Sequence, residues 1–275
     1  MSDAKATLMR IDPARDAVVA RIKVPAPEAA AAGDGAVWLS NPSYNTVTRI
    51  DPATNTVAAT IRVGSQPEGI AVSPGAVWVA NAGGLADAGG PTVSRIDPAT
   101  NRVVATIPVG PKGDCCAQHT DLIASPRSVW VALANGSSIV RVDPATNRVV
   151  ATARMGYPPC GFLAADATGV WFTDPCSGGT PSVQKAPPDV VARVDSHTNR
   201  LTTRLDDVDP VGIQVAFGSV WVATGAGNID QLGPHSGRLV ARLHVGGSPD
   251  QLGAGFGSVW VVDDFGSVLR IKPRR

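Results

Sequence analysis

The sequence is poor in aromatic residues and carries almost no net charge. Aromatic residues make up 5% of its 275 positions, and 24 basic residues balance 23 acidic ones to a net charge of +1. Proteins that attract nucleic acid or an anionic membrane usually carry an excess of basic residues, and none exists here. We therefore expect neither nucleic acid nor a membrane as a partner.

Other absences concern export and catalysis. No apolar run is long enough to span a membrane, and the first residues lack the apolar core of a secretory signal. The chain as given is expected to be unexported, whereas a start further upstream would allow an extracytoplasmic location, so no compartment is assigned. The sequence contains no phosphate-binding loop, no dinucleotide fingerprint and no Gly-x-Ser-x-Gly elbow.

What the sequence does contain is a repeat built around tryptophan. Each of its six tryptophans follows a valine, and successive tryptophans are 40, 52, 41, 50 and 39 residues apart. These periods match one four-stranded propeller blade with occasional insertions. The tryptophans recur at one position of the repeat, so we interpret them as packing wedges between blades.

The repeat is clearest over residues 64–110, where turn residues separate four short runs rich in β-branched residues. These runs predict strands a, b, c and d of an antiparallel meander. The sequence Asp-Pro-Ala-Thr-Asn between c and d predicts a type I turn followed by a left-handed Asn. We therefore predict an all-β fold, a β-propeller of four-stranded antiparallel blades, as a single domain over residues 1–275. The arginines of the c strands are interpreted as solvated or as ion pairs at blade edges.

The two ends of the chain predict how the ring closes. The sequence contains seven copies of strand c but six of strand b, because it begins with c and d alone and ends with a, b and c alone. We predict six blades, with the N-terminal d strand at residues 18–24 completing the last one and covering its edge. The alternative is a seven-blade ring whose first blade is incomplete.

All long insertions connect strand b to c or strand d to a, so they lie on one face. Variable loops on a rigid scaffold usually build the binding site, so a small molecule, peptide or protein is expected there. Counting ten residues back from each tryptophan, or eleven from Trp171, predicts the rim residues Glu28, Glu68, Thr120, Cys160, Val211 and Asp250. The ends of the b strands add Asn41, Asn81, Asp174, Thr224 and Asp263.

The rim carboxylates Glu28, Glu68 and Asp250 have alternative interpretations. Together they could bind a divalent cation or a cationic ligand through hard oxygen donors. Crowded together they could instead have raised pKa values and act as acid or base. The structural alternative is that each carboxylate caps its own strand by accepting a bond from a backbone amide of the neighbouring blade. The residues at the b-strand ends have a similar alternative as turn-forming side chains.

The four cysteines fall on the same face. Cys160 begins one a strand and Cys176 leaves the following b strand, so a disulfide between them is the main interpretation. Crossed disulfides with Cys115 and Cys116 are an alternative. A zinc site that adds His119 is a further one, although no Cys-x-x-Cys pair is present. No base partner for a nucleophilic cysteine is evident beyond His119.

The repeat resembles the YVTN-type propeller family over nearly the whole chain. The resemblance rests on Pro-Glu-Gly-Ile-Ala-Val, Gly-Ala-Val-Trp-Val-Ala-Asn and Ser-Arg-Ile-Asp-Pro-Ala-Thr-Asn. The sequence is also similar to streptogramin (virginiamycin B) lyase propellers, which implies an alternative activity with magnesium on the loop face and His119 as catalytic base. Asp174 follows Trp-Phe-Thr where those lyases have Glu. Our main prediction is a monomeric binding or scaffold protein without a cofactor.

Overall fold

A computed structural model of the chain describes residues 5–83, 90–111, 121–125, 127–134, 136–155, 159, 161–174, 189–206 and 208–273. These residues form 25 β-strands, and their only helical element is a 3₁₀ turn at Pro42–Tyr44. No helix within these ranges is long and apolar enough to cross a membrane.

The strands form antiparallel sheets in chain order. The terminal hairpin consists of β1 (Lys5–Asp12) and β2 (Ala17–Pro25). The first sheet contains β3 (Ala30–Gly33), β4 (Ala36–Asn41), β5 (Thr46–Asp51) and β6 (Thr56–Arg62). The second contains β7 (Pro67–Ser73), β8 (Ala76–Asn81), β9 (Thr92–Asp97) and β10 (Arg102–Pro108). The third contains β11 (Leu122–Ser125), β12 (Ser128–Leu133), β13 (Ser138–Asp143) and β14 (Arg148–Arg154).

Three further sheets follow. The fourth contains β15 (Leu163–Ala165), β16 (Gly169–Asp174), β17 (Val190–Asp195) and β18 (Leu201–Asp206). The fifth contains β19 (Pro210–Ala216), β20 (Ser219–Thr224), β21 (Asn228–Leu232) and β22 (Leu239–His244). The sixth contains β23 (Pro249–Gly255), β24 (Ser258–Asp263) and β25 (Val268–Ile271).

The chain divides into two compact units. Unit 1 comprises Met1–Val131 and Val140–Val150, and unit 2 comprises Ala132–Ile139 and Ala151–Arg275. The boundary therefore falls within the third sheet. The single domain expected from the sequence stays a prediction.

The tryptophans occupy one register, as the repeat predicts. Each lies in the second strand of its sheet, and Trp38, Trp78 and Trp171 are opposite arginines of the third strand, namely Arg49, Arg95 and Arg193. Equivalent positions in the sequence are thus equivalent in the structure, and the prediction of strands a to c is confirmed.

The turns between third and fourth strands have the predicted geometry. Asp97 Oδ1 accepts a bond from the Ala99 N–H at 3.0 Å, and Asp97 Oδ2 accepts one from the Thr100 hydroxyl at 2.7 Å. These bonds, first that from Thr100, lower the pKa of Asp97. The Asn that ends this turn in the first to fourth sheets is left-handed, as Asn tolerates, with φ of 57°, 56°, 55° and 55° at Asn55, Asn101, Asn147 and Asn199.

Tryptophan is the packing residue between neighbouring sheets, which confirms its predicted role. Trp38 is fully buried in a cluster that also contains Ile70 and Val77 of the second sheet. Within unit 2, Trp171 packs in the same way with Ile213 and Val220 of the fifth sheet. A large buried side chain at these junctions supplies much of the apolar area that the small sheets bury.

The third-strand arginines Arg49 and Arg95 connect neighbouring sheets instead of forming edge ion pairs. Arg193 does form the expected ion pair, with Asp195 of its own strand at 3.6 Å. The Arg95 guanidinium lies 5.1 Å from the centroid of its own Trp78 ring. It also donates to Pro144 O at 2.9 Å and to Asn147 Oδ1 at 2.8 Å in the turn of the third sheet. Arg49 makes the same contacts with Trp38 and with the turn of the second sheet. A planar guanidinium can stack and donate at once, so Lys could not replace these arginines.

Arg193 has different partners, because the turn of the next sheet does not contain the Asn acceptor. In the fifth sheet, Gly237 stands where the other turns have Asn. Arg193 instead donates to Thr168 of its own sheet, to the carbonyl oxygen at 2.9 Å and the hydroxyl at 2.8 Å. The sequence signal for bonds between sheets is therefore the third-strand Arg of one repeat together with the Asn that ends the turn of the following repeat.

The N-terminal strand does not complete the sixth sheet, so that part of the prediction is wrong. β2 pairs with β1 along its length, from Lys5 opposite Pro25 to Asp12 opposite Ala17. Ile22 and Val24 of β2 pack against Leu39 of the first sheet. A short turn closes this hairpin, and pairing strands that are close in sequence costs less chain entropy than pairing the two ends of the chain. The described part of the sixth sheet consequently has three strands.

Candidate functional site

The long connections lie at one end of the sheets, where first strands begin and second strands end. We call this end the loop side, and the opposite end, with its short turns, the turn side. In unit 1 the long connections are residues 82–91 and 109–121, and in unit 2 they are residues 155–162 and 175–189. On the turn side, first and second strands are joined by as little as Pro74 and Gly75. The predicted distribution of connections is thus present in each unit.

Ser40 connects the two predicted rim glutamates of unit 1 through the backbone. Its hydroxyl donates to Glu68 O at 2.5 Å, and its carbonyl oxygen accepts from the Glu28 N–H at 3.0 Å. Ser40 is fully buried, whereas the Glu28 side chain is exposed and that of Glu68 is half-buried. The loop side of unit 1 therefore presents both carboxylates on a fixed backbone, and a serine hydroxyl makes the bond between the sheets.

Asp121 is a loop-side acid that the sequence analysis missed. Counting back from Trp130 predicts Thr120, but the carboxylate that lies against Gly69 belongs to the following residue. A Cβ added at Gly69 would lie 3.0 Å from Asp121 Oδ1 and 2.7 Å from Leu122 N. Glycine at position 69 allows β7 and β11 to approach closely, and this brings Asp121 against the residue that follows Glu68. The sequence feature that could have indicated this close approach is the glycine of Glu68-Gly69 at the start of β7.

Asn41 and Asn81 are buried side chains that connect second and third strands. Asn81 Nδ2 donates to Thr92 Oγ1 and to Ser94 Oγ, both at 3.0 Å, and Asn41 Nδ2 donates to Thr48 Oγ1 at 2.9 Å. A Cβ at Gly64 would meet the Asn81 amide carbon at 2.7 Å, so the connection before β7 closes over this side chain. The two asparagines stabilise the loop side from inside the sheets.

The equivalent positions of unit 2 are more varied. Asp174 and Thr224 are buried at the ends of β16 and β20. Asp263 is half-buried, and its Oδ1 accepts from the backbone N–H groups of Phe265 at 3.1 Å and Ser267 at 2.7 Å. The turn-forming alternative therefore describes the Asp263 contacts.

Asp250 is the predicted rim acid with an altered electrostatic environment. Burial raises the pKa of the Asp250 carboxyl, and the negative charge of Asp264 raises it further. Asp264 was not predicted from the sequence. Its Oδ2 accepts a bond from the Ser248 hydroxyl at 2.7 Å. The loop side of unit 2 thus contains two acids that repel each other, which favours a proton or a cationic group beside them.

We expect Asp250→Asn to increase the urea midpoint of unfolding at neutral pH. A raised pKa in the folded state means that the charged form of Asp250 is less stable there than in the unfolded chain, so ionisation lowers the free energy of unfolding. The gain should shrink as the pH falls through the raised folded-state pKa of Asp250, and it should disappear below the unfolded-state pKa, where Asp250 is protonated in both states. In carboxyl ¹³C NMR, Asp264→Asn should lower the Asp250 pKa part of the way, and an unchanged pKa would contradict the proposed repulsion.

Several predicted site residues lie outside the described residues. They are the candidate base His119, the rim residues Thr120 and Cys160, and the further cysteines Cys115, Cys116 and Cys176. The disulfide between Cys160 and Cys176 and the zinc alternative stay predictions. Within the described ranges, no three His, Cys, Asp or Glu side chains are grouped closely enough to hold a metal ion. The predicted metal ligands Glu28, Glu68 and Asp250 are therefore not members of such a group.

Solved structures with the same strand arrangement show what fold these sheets belong to. The chain is similar to hydrazine synthase of Kuenenia stuttgartiensis, with a TM-score of 0.75 and 18% identity over 97% of this chain and 89% of the other. The chain has the β-propeller fold. The propeller is also similar to BamB from Moraxella catarrhalis, with a TM-score of 0.65 and 15% identity over 95% of this chain and 77% of the other.

A third solved propeller structure is also similar to this chain. The WD40 domain of Neurospora crassa Pan2 matches with a TM-score of 0.69 and 11% identity, over 94% of this chain and 80% of the other. At such identities the likeness shows the fold alone. No protein family model and no curated protein sequence matches this propeller. The predicted fold class is thus confirmed, and the similarity to YVTN-type and lyase propellers stays a resemblance.

Proposed function

We propose that the propeller is a binding protein that recognises a ligand with cationic groups, such as a basic peptide, on its loop side. The observation that carries this proposal is the placement of Asp121 against Gly69, the residue after Glu68, on the loop side of unit 1, where long connections leave the sheets. Acidic groups on a rigid backbone attract positive charge without a conformational cost on binding.

The rigidity of the surrounding strands supports the proposal. The Ser40 hydroxyl donates to the Glu68 carbonyl oxygen, and β7 and β11 approach each other closely at Gly69. Connections of variable length on such strands are the usual location of specificity in repeat folds. The Asp250 and Asp264 carboxylates favour positive charge on the loop side of unit 2 as well.

The test is selection of binders from a random peptide library on immobilised protein. We expect the selected peptides to be enriched in Lys and Arg. In calorimetry, the double variant Glu68→Gln with Asp121→Asn should weaken their binding by about tenfold, as for contacts between charged groups at an interface. The matched control is Asp51→Asn, which removes one negative charge from the turn side and keeps a hydrogen-bond acceptor.

Two results would contradict the proposal. One is binding that depends on Asp51 but not on the loop-side acids. The other is binding that a chelator abolishes, since that would indicate a metal ion between the protein and the peptide.

A further inference from the structure

The turns between first and second strands of the fifth and sixth sheets carry exposed phenylalanines. Phe217-Gly218 joins β19 to β20, and Phe256-Gly257 joins β23 to β24. Phe217 is 50% exposed and Phe256 is 78% exposed. Phe217 is exposed although the turns of both neighbouring sheets, the fourth and the sixth, are described at this end. Half or more of each side chain therefore contributes nothing to the buried core.

Both phenylalanines have a left-handed backbone. The φ angle is 52° at Phe217 and 51° at Phe256, and the glycine that follows each has φ of 72° or 68°. Two consecutive left-handed residues are typical of the type I′ turn, in which the first position favours Asn, Asp or Gly. The equivalent residue of the first sheet is Asp34, with φ of 47°. Phenylalanine is thus unfavourable for the turn itself, which points to a role other than folding.

The two turns are neighbours on the turn side of unit 2. In unit 1, Asp34 Oδ2 accepts a bond from the Gly75 N–H at 3.0 Å, so a side chain at this position reaches the turn of the next sheet. Phe217 occupies the position of Asp34, and Gly257 occupies that of Gly75. The first strands β19 and β23 pack against each other, as β3 and β7 do. We call Phe217 and Phe256 together the phenylalanine surface.

The charges around the phenylalanine surface are positive. The third strands of the first four sheets end at an aspartate, namely Asp51, Asp97, Asp143 and Asp195. The corresponding residues of the fifth and sixth sheets, two after the one opposite tryptophan, are Gly233 and Lys272. Among the described residues that join strands at this end of these two sheets there is no Asp or Glu, whereas Arg238 and Lys272 are exposed. This end therefore attracts negative charge.

We propose that the phenylalanine surface binds a short acidic segment of another protein. An apolar side chain of the segment packs on the two rings, and flanking carboxylates lie near Arg238 and Lys272. Aromatic residues often supply the centre of a protein interface, and complementary charges at its rim speed association and select the partner. The loop side is the opposite end of these sheets, so the inference does not depend on the ligand proposed there.

Two other occupants fit this surface less well. Two phenylalanine side chains offer at most about 500 Å², less than the roughly 800 Å² that each partner buries in a stable interface. Two copies of the chain would also bring like charges together. Recognition of an anionic membrane usually needs a cluster of about four to eight basic residues, and the described residues here provide Arg238 and Lys272.

The test is selection from a random peptide library on the full-length double variant Glu68→Gln with Asp121→Asn. This variant lacks the acids of the loop side, so failure of the proposed loop-side function does not affect the result. We expect the selected peptides to carry Asp and Glu around a large apolar residue. In calorimetry with the otherwise unchanged protein, Phe217→Asn with Phe256→Asn should weaken their binding by about tenfold or more, as for residues at the centre of an interface.

The same double variant separates binding from folding. Asn is favoured at the left-handed position before glycine, so the variant should be at least as stable in urea as the original protein. A clear loss of stability would mean that the rings pack in the fold, which would overturn the proposal. The matched control is Phe265→Asn, which changes an 81% exposed phenylalanine after β24, at the other end of the sixth sheet, and should leave peptide binding unchanged.

Three further results would overturn the proposal. One is a selection that yields no acidic peptides, or acidic peptides that bind equally well without the two phenylalanines. Another is a dimer in sedimentation that the double variant dissociates, which would indicate a second copy of the chain. The third is binding to vesicles of phosphatidylserine and phosphatidylcholine that requires Phe217 and Phe256, which would indicate a lipid surface.

Discussion

Gly212→Ala is expected to lower the free energy of unfolding by about 3 kcal/mol, a large value for adding one methyl group. A Cβ at this position would lie 2.0 Å from the backbone carbonyl oxygen of Asp250. The obstacle belongs to β23 and not to a flexible side chain, so β19 and β23 would have to move apart. Urea unfolding followed by tryptophan fluorescence measures the change.

The matched control is Gly253→Ala in the neighbouring strand β23. A Cβ there would meet no atom within 4 Å, and the backbone is not left-handed. This variant should be neutral, or more stable by about 0.5 kcal/mol, because alanine restricts the unfolded chain. Equal losses in the two variants would mean that the close approach of the two strands is not what position 212 requires.

Arg95→Ala is expected to lower the free energy of unfolding by about 2 kcal/mol, the range for hydrogen bonds to charged groups. Arg95 stacks on Trp78 and donates to Pro144 O and Asn147 Oδ1 in the turn of the next sheet. Its removal leaves these two acceptors without their donor and takes away the cover of the indole ring. Urea unfolding at two salt concentrations measures the loss, which should depend little on salt, because the contacts are hydrogen bonds and a ring stack.

Arg102→Ala is the control for Arg95. Arg102 is exposed at the start of β10, and removing it should change the free energy of unfolding by less than about 0.5 kcal/mol. Arg95→Lys separates charge from geometry, since lysine keeps the charge but cannot both stack and donate to two acceptors. Full stability in Arg95→Lys would show that only the charge matters, contrary to the expectation.

The fold could be predicted from the sequence because the residues of each repeat favour the strands and turns that the repeat forms. Valine and isoleucine alternate in the strands, Asp and Asn form the turns, and Trp recurs at the junctions, so local and tertiary preferences agree in every sheet. The wrong prediction was the pairing partner of β2, because the sequence of β2 is typical of a fourth strand in any of the sheets. The competition between pairing with β1 and completing the sixth sheet depends on chain entropy across the whole molecule, and no repeat contains that information.

The candidate site was predictable only in outline. Counting from the tryptophans places Glu28, Glu68 and Asp250 near first-strand starts, because strands have regular spacing. The count fails at Asp121, which is one residue from the predicted Thr120 and becomes relevant only because β7 and β11 approach at Gly69. It likewise misses Asp264, which acts on Asp250 from a connection after β24. Charges from different strands interact according to distance in space, which spacing in sequence does not contain.

The sequence was therefore sufficient for the type of sheet, the role of the tryptophans, the geometry of the turns and the end of the sheets that carries the long connections. These features depend on interactions within a repeat or between identical repeats, and the periodic pattern records both. Only the tertiary structure decided which strand pairs with β1 and which arginine reaches a turn in the next sheet. Each of these results from competition or contact between segments far apart in the chain, where the free-energy differences depend on three-dimensional packing.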